Sequence, residues 1–326
     1  MAAPSHSPAR LVADVGGTNS RLALFDPASG RCSELRVYRN RDFDCLEAVI
    51  DDWLEKLAAP RPAACCLAVA APPAGDRVVM VNIDWSFSCR ELAVRYGFAQ
   101  MRCLNDFQAN AYALPHLDSG DVAALRPGAG SSARLATVGP GTGLGGAILD
   151  RSGDSPTAHC AEPGHMGLSP GTALELEVFR VLLSRHSDVY AELLVSGPGL
   201  QRLHAALAEV HGETPLALPP ADITRRALRG DDPPCTRALA TFCALLGSVC
   251  GDFVLATGAY GGLYLAGGIV PHIVDFLRAS AFAQRFQTKG AMAGHLRAVP
   301  LYAITAAQPG LLGAAHAPLA QAPFDD

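Results

Sequence analysis

A short apolar strand, a glycine-rich turn and a second strand occur twice in this chain, and that recurrence restricts its fold more than any other feature. The first copy is Leu11-Val12-Ala13-Asp14-Val15, then Gly16-Gly17-Thr18-Asn19, then Arg21-Leu22-Ala23-Leu24-Phe25-Asp26. The second runs from strand Leu135 to Val138 through Gly139-Pro140-Gly141-Thr142-Gly143-Leu144-Gly145-Gly146 into strand Ala147 to Asp150. Glycine supplies positive φ at such a tip and leaves the backbone amides open to an approaching phosphate. A hydroxyl sits at each tip, Thr18 and Thr142. Two other phosphate loops are excluded. No GxxxxGK motif occurs, and Gly141-Thr142-Gly143-Leu144-Gly145 has the wrong spacing for GxGxxG and leads into a strand instead of a helix. One glycine hairpin alone reads as an ordinary β-turn. Two of them, with a strand at Gly262 to Ala266 that passes through Gly267-Gly268 into a predicted helix, form a set suited to a nucleotide.

Between these landmarks the pattern alternates. A helix is predicted after Asp44-Cys45-Leu46-Glu47, which resembles a capping box, with Leu46, Val49, Ile50, Trp53, Leu54 and Leu57 on one face. Strands follow at Ala64 to Ala70 and Arg77 to Asn82. A short helix opens at Ser88 to Glu91 and stops near Gly97, and a strand covers Met101 to Asn105. The polar, Gly/Pro/Ser-rich stretch Leu117 to Ser132 reads as a domain junction. Beyond it, helices are predicted from Thr172 to His186, Gly199 to Val210, Asp222 to Leu228, Thr236 to Thr257 and Pro271 to Phe286. A last strand at Val299 to Ile304 precedes a final helix. Strands and helices mixed throughout argue an α/β fold. The two matching hairpins suggest two related lobes, divided as 1–116 plus a returning 307–326, a small α/β domain, and 117–306, a large one.

Bulk properties narrow the function. The 326 residues are 49% apolar, enough for a sizeable core without disulfide or metal staples. Net charge is −5 with no run of Lys and Arg, which excludes a nucleic-acid footprint and requires positive potential to be gathered locally for a phosphate. Ten cysteines show no CxxC and mostly lie in apolar runs, as expected of buried free thiols. Met1 to Arg10 is short and polar, and no run of about 18 or more residues has the clean look of a membrane span. The expectation is a soluble, cytoplasmic protein with no nucleic-acid or membrane partner.

Several acidic residues stand at strand ends or in Gly/Pro loops. Asp14 ends the first strand and could hold Mg²⁺ through water, since Mg²⁺ takes a carboxylate and keeps several waters. Asn105-Asp106-Phe107 follows another strand. Asp106 could accept a hydroxyl proton, or it could be the N-cap of the run Phe107 to Leu114. Glu162-Pro163-Gly164-His165 places a carboxylate and an imidazole three residues apart. Such a pair could pin vicinal hydroxyls or belong to an exposed loop, and it is weak as a metal site. Glu192, on its own, reads as a helix-surface charge.

Asp14-Val15-Gly16-Gly17-Thr18-Asn19-Ser20-Arg21, Gly139 to Gly145 and Leu265-Ala266-Gly267-Gly268-Ile269-Val270 resemble the two phosphate loops and the adenosine motif of the actin/hexokinase/Hsp70 superfamily. Within it the chain resembles the bacterial glucokinase family from about residue 11 to about 316. The resemblance takes in Ser196-Gly197-Pro198-Gly199-Leu200 and Pro309-Gly310-Leu311-Leu312-Gly313. It implies a two-lobed actin-like ATPase (ribonuclease H-like) fold with a nucleotide and sugar cleft between lobes that close to expel water. The implied reaction transfers the γ-phosphoryl of ATP, with Mg²⁺, to the 6-hydroxyl of glucose.

Asp106 becomes the implied general base, and Asn105, Glu162, His165 and Glu192 the implied sugar ligands. Gly16, Gly17, Thr18, Asn19, Arg21, Gly141, Thr142, Gly143, Gly267 and Gly268 are left to hold the nucleotide. Pro163 stands where the family has Gly, which stiffens the loop but keeps the spacing of its two ligands. The related repressor/ORF/kinase group carries a Cys-x-Cys-Gly-x-x-Gly-Cys zinc motif. Met166-Gly167-Leu168-Ser169-Pro170-Gly171 has no Cys, so no structural zinc is expected. A homodimer is implied by resemblance alone. The rival readings are a hexokinase, fructokinase or mannokinase of the same fold and a non-catalytic sugar sensor. A DNA-binding sensor would need more than the ten residues ahead of the first strand, and an Hsp70-like chaperone would need a peptide-binding segment after the ATPase.

Overall fold

Strand β1 (Arg10–Val15) turns back through the Gly16–Thr18 loop into β2 (Asn19–Asp26), with Asp14 opposite Arg21 and Val15 opposite Ser20. The computed structural model describes residues 8–71 and 75–321. Strand β3 (Arg31–Arg39), absent from the sequence reading, adds antiparallel at the edge. Its Leu35 and Val37 are exposed, and its inward face is Glu34, Arg36 and the buried Tyr38, so no apolar alternation marks it. Helix α1 (Leu46–Glu55) buries Leu46, Val49, Ile50, Trp53 and Leu54, each contributing roughly 1.5–3 kcal/mol by leaving water. The expected capping box before it does not form, because the N-cap is Cys45 and its side chain makes no cap hydrogen bond.

Strand β4 (Ala64–Val69) is buried at every position. A small hairpin, β5 (Arg77–Val79) with β6 (Ser86–Ser88), leads to α2 (Cys89–Tyr96). There the Ser88 hydroxyl accepts the Glu91 N–H and Gly97 closes the helix at φ 72°. Strand β7 (Gln100–Asn105) runs directly into α3 (Asp106–Ala113).

From Leu117 to Ala306 the chain builds a second compact unit, the first comprising the residues up to His116 and those from Ala307. The polar stretch read as a junction contains β8 (Val122–Arg126). Strands β9 (Arg134–Pro140), β10 (Leu144–Asp150) and β11 (Thr157–Ala161) form an antiparallel meander. Helices α4 (Ala173–Leu183), α5 (Ala191–Leu194), α6 (Gly197–Val210), α7 (Pro220–Arg229) and α8 (Pro233–Thr257) follow. Strand β12 (Gly262–Leu265) comes next. The single helix expected over 271–286 is instead a 3₁₀ turn at Val270–His272, then α9 (Val274–Ala279) and α10 (Phe282–Gln287). Extended backbone at Ser280 breaks it, and the Ser280 hydroxyl accepts the Phe282 N–H. Helix α11 (Ala293–Arg297) and strand β13 (Leu301–Ile304) complete the unit.

Helix α8 departs from the expectation about apolar runs. By length and composition alone it could cross a membrane, yet 72% of its most apolar window is buried inside the fold. Phe242, Cys243, Leu245, Leu246 and Val254 place it at the centre of the second unit's core. Its apolarity is that of a helix covered by other helices.

Helix α12 (Pro309–His316) and strand β14 (Ala320–Gln321) return to the first unit. The Pro309-to-Gly313 motif is thus the first turns of a helix. A Cβ at Gly313 would overlap the Ala109 carbonyl of α3, so glycine is what lets α12 and α3 cross this closely.

The two sheets share one plan. In the first, β1, β2 and β3 are antiparallel neighbours, and β4 and β7 add parallel on the other side of β1. In the second, β9, β10 and β11 form the meander, and β12 and β13 add parallel beside β9. Each glycine hairpin occupies the same place in its sheet.

Candidate active site

In the first unit the candidate residues lie at the β1–β2 turn and the β7–α3 junction. The Gly16 N–H donates to the Asn19 carbonyl at 3.0 Å, closing the turn. Asp14, one strand residue before the loop, is half-buried and 3.4 Å from the Arg21 guanidinium across the hairpin. Burial raises its carboxyl pKa, more than the Arg21 charge and hydrogen bond lower it. A Cβ on Gly310 would lie 3.4 Å from the Asp14 carboxylate, so α12 reaches this corner through a residue with no side chain.

At the β7–α3 junction Asn105, not Asp106, is the N-cap. Its Oδ1 accepts the Phe107 N–H at 2.9 Å, and the Gln108 side chain accepts the Asn105 N–H at 3.2 Å in a capping box. Its Nδ2 donates to the Ala71 carbonyl at 3.2 Å. The same side chain also hydrogen-bonds the Asp106 carboxylate, which ties the two candidate residues to each other. Asp106 is then the first helical residue, accepting the Phe107 N–H at 3.0 Å. Burial pushes its carboxyl up to about 6; the Phe107 hydrogen bond opposes that shift, and the nearby Asp14 carboxylate adds to it. A carboxyl near 6 beside a second carboxylate is well placed to exchange a proton near neutral pH.

In the second unit the sugar-type ligands and the second glycine turn converge. Pro163–His165 is a 3₁₀ turn with Pro163 in its first position. The chain after it is tied to the segment before α5. The Leu168 N–H donates to the Val189 carbonyl at 3.3 Å, and the Ala191 N–H to the Met166 carbonyl at 2.9 Å. Those ties bring Glu192 beside Gly164 and set the His165 ring 5.7 Å from that of Tyr190.

Glu192 is not a bystander on a helix surface. Its Oε2 accepts the Leu144 N–H at 2.8 Å, and a Cβ on Gly143 would come within 2.5 Å of the same oxygen. Glu162 and His165 are exposed at the rim of this group. The Gly141–Gly143 turn is closed by the Gly141 N–H on the Gly143 carbonyl at 2.8 Å. It is docked to α6 by the Gly197 N–H on the Gly141 carbonyl, also at 2.8 Å.

Beside that turn lies a cavity of about 1120 Å³ bounded by Gly141 and Thr142, by Pro198 of α6, by Thr224 and Leu228 of α7, and by Gly268. Its mainly apolar wall suits a purine, and no motif marks the α7 residues that line it. Gly267 holds φ +89°, and a Cβ there would collide with the Pro140 carbonyl. Gly267→Ala is expected to weaken nucleotide binding at least about tenfold, from about 1–3 kcal/mol of backbone strain in addition to the collision. A fluorescent-nucleotide titration of the variant against the parent checks this.

Magnesium is implied by the resemblance, and the donor chemistry fits it. Among the described residues no three His, Cys, Asp or Glu side chains gather as a metal cage. A single hard carboxylate such as Asp14, completed by phosphate oxygens and water, is the kind of environment Mg²⁺ takes.

Residues 11–321 match the glucokinase family. A glucokinase of Saccharophagus degradans is 38% identical over 309 residues, spanning 94% of this chain and 96% of its own length. One of Aromatoleum aromaticum is 42% identical over 312 residues, spanning 94% of each. The crystal structure of a glucokinase from an Antarctic psychrotroph superposes with a TM-score of 0.88 at 37% identity, covering 94% of this chain and 98% of that one. The shared architecture is the actin-like ATPase fold.

Proposed function

The chain belongs to the glucokinase family, and from that membership we propose how its residues divide the ATP-dependent phosphorylation of glucose. The γ-phosphoryl of ATP passes to the 6-hydroxyl of glucose. The sugar O–H bond breaks as the new P–O bond forms, ADP leaves, and Asp106 takes the proton. Asn105, Glu162, His165 and Glu192 hold the other hydroxyls. Amides and hydroxyls of Gly16, Gly17, Thr18 and Asn19, with Arg21, and of Gly141, Thr142 and Gly143 hold the phosphates. Gly267 and Gly268 seat the adenosine against the α7 wall. Asp14 would hold Mg²⁺ through water, and the bound ion would offset charge on the transferring phosphoryl group.

The observation that carries this reading is the Asp106 carboxyl, poised near 6 at the head of α3 and one residue from a sugar-type amide. Positioning and electrostatics account for most of such catalysis, and the closing bonds of the two hairpin turns use only the Gly16 and Gly141 N–H groups. A homodimer working in the cytoplasm completes the reading, supported by the family resemblance.

Sugar choice rests on a few hydroxyl contacts, and a site built to hydrogen-bond each one rejects analogues that leave a group unpaired. ADP release with Mg-ATP is therefore expected to rise strongly with glucose and less with mannose or fructose, over a low sugar-free background. A coupled assay decides. Release driven best by fructose or mannose would keep the chemistry and overturn the substrate. No sugar-stimulated release would remove the kinase reading altogether.

A further inference from the structure

The first phosphate loop is braced from beneath by a residue with no place in the mechanism above. Asn40, in the 3₁₀ turn Asn40–Asp42 after β3, is 1% exposed. Its backbone N–H donates to the Thr18 carbonyl at 3.0 Å. Its Nδ2 donates to the Gly16 carbonyl at 2.7 Å, and its Oδ1 accepts the Ser20 hydroxyl at 2.7 Å. The Gly16 carbonyl can only accept, so the amide nitrogen must face it, and the Ser20 hydroxyl on the other side fixes that orientation.

These bonds hold both ends of the Gly16–Thr18 loop through carbonyls. None of these bonds uses a loop N–H; that of Gly16 closes the turn on the Asn19 carbonyl, those of Gly17 and Thr18 are left to a ligand, and the peptide planes are set. The neighbours of Asn40 face outward. Arg39 and Arg41 line a cavity of about 660 Å³ together with Gly17, Thr18 and Asn19, in a chain of net charge −5. One segment therefore sets the aim of the loop amides and brings two guanidinium groups to the same cavity.

We propose that Asn40 is a positioning residue for the ATP phosphates: it presets the Gly16–Thr18 loop, with Ser20 orienting its amide. This rests on the reading that the loop holds those phosphates. Asn40→Ala removes the tether. Asn40→Asp keeps the size but sets a carboxylate oxygen against the Gly16 carbonyl, acceptor against acceptor, and is the more damaging change.

The test is steady-state kinetics and thermal melting of the full chain as Asn40→Ala, Asn40→Asp, Ser20→Ala and Ser20→Ala/Asn40→Ala, with Gly17→Ala as a loop control. A Cβ on Gly17 would lie 2.6 Å from the Asn82 Cβ, so that substitution disturbs the loop directly. Asn40→Ala is expected to raise KM for ATP about tenfold while KM for glucose stays within about twofold. Asn40→Asp should exceed it, and Ser20→Ala should move the same way by less. The double variant should match Asn40→Ala alone, because Ser20 acts through the amide.

A KM for ATP unchanged in both Asn40 variants, with Gly17→Ala raising it, would make Asn40 a fold brace only and overturn the proposal. An equal rise in both KM values would do the same. An unchanged KM for ATP in Gly17→Ala would instead remove the loop reading, and the role of Asn40 with it. If the Asn40 variants melt below assay temperature, Ser20→Ala decides on the same split between the two KM values.

Discussion

Asp106→Asn is expected to lower kcat by about 10²–10⁴-fold, the range a positioned general base supplies, while glucose binding changes little. The amide keeps an oxygen for the Phe107 N–H that the carboxylate accepts at 3.0 Å, so α3 should start as before. What is lost is the ability to take a proton. The same group predicts the pH profile. A base must be ionised, and burial, together with the Asp14 carboxylate, sets the Asp106 carboxyl at about 6. kcat/KM should therefore fall as pH drops through about 6 in the parent.

Stability runs the other way. The folded carboxyl has a higher pKa than its unfolded counterpart, so the native state binds more protons between about pH 4 and pH 6. Ionisation then costs the native state stability, fully so above about pH 6. Asp106→Asn removes that cost. The variant should melt at a higher temperature than the parent at pH 8, and that gain should disappear below about pH 4. A variant that is inactive and more stable separates a catalytic role from a structural one. An Asp106→Asn protein that turns over at near the parental rate would end the base assignment.

How much of this was visible in the chain depends on where the determinants lie. Both glycine hairpins were legible, because the turn residues and the apolar flanks that require them are contiguous. So were the Ser88 cap and the buried strand Ala64–Val69, whose signals are equally local. Strands β3, β8 and β11 escaped. Each is an outer strand with little buried surface, so pairing along one edge, and not an apolar pattern, makes it a strand.

The same limit applied to the site. Asp106 could be read as a base or as a cap until the structure gave the cap to its neighbour. Asn40 carries no motif at all, since its partners Gly16, Thr18 and Ser20 are reached only by the return of β3. A polar residue flanked by two arginines after an edge strand looks like solvent-facing turn. The α7 residues lining the cavity proposed for adenosine were hidden for a related reason: nothing in Thr224 or Leu228 distinguishes a cavity wall from a helix face.

Glu192, which the resemblance offers as a sugar ligand, also accepts a hydrogen bond at the second glycine turn. Glu192→Ala is expected to reduce kcat/KM for glucose by about 10²–10³-fold, because it removes a charge-assisted hydrogen bond and a sugar contact together. The carboxylate takes the Leu144 N–H, at the base of the second phosphate turn, and lies against Gly164 of the sugar segment. One side chain thus joins the turn proposed to hold phosphate to the segment proposed to hold sugar. Its loss should therefore raise KM for both substrates, unlike substitution of Glu162, which sits exposed at the rim and should affect glucose alone. Gln at position 192 keeps an acceptor for the Leu144 N–H but not the charge. It should restore most of the ATP affinity and little of the glucose affinity, since a neutral oxygen is the weaker partner for a sugar hydroxyl. Measuring both KM values for Glu192→Ala, Glu192→Gln and Glu162→Ala distinguishes the two roles. If Glu192→Ala raises only the glucose KM, the Leu144 hydrogen bond is incidental and Glu192 is a sugar ligand like the other two. If ATP and glucose rise together and Gln rescues ATP alone, the same carboxylate sets the phosphate turn and reads the sugar.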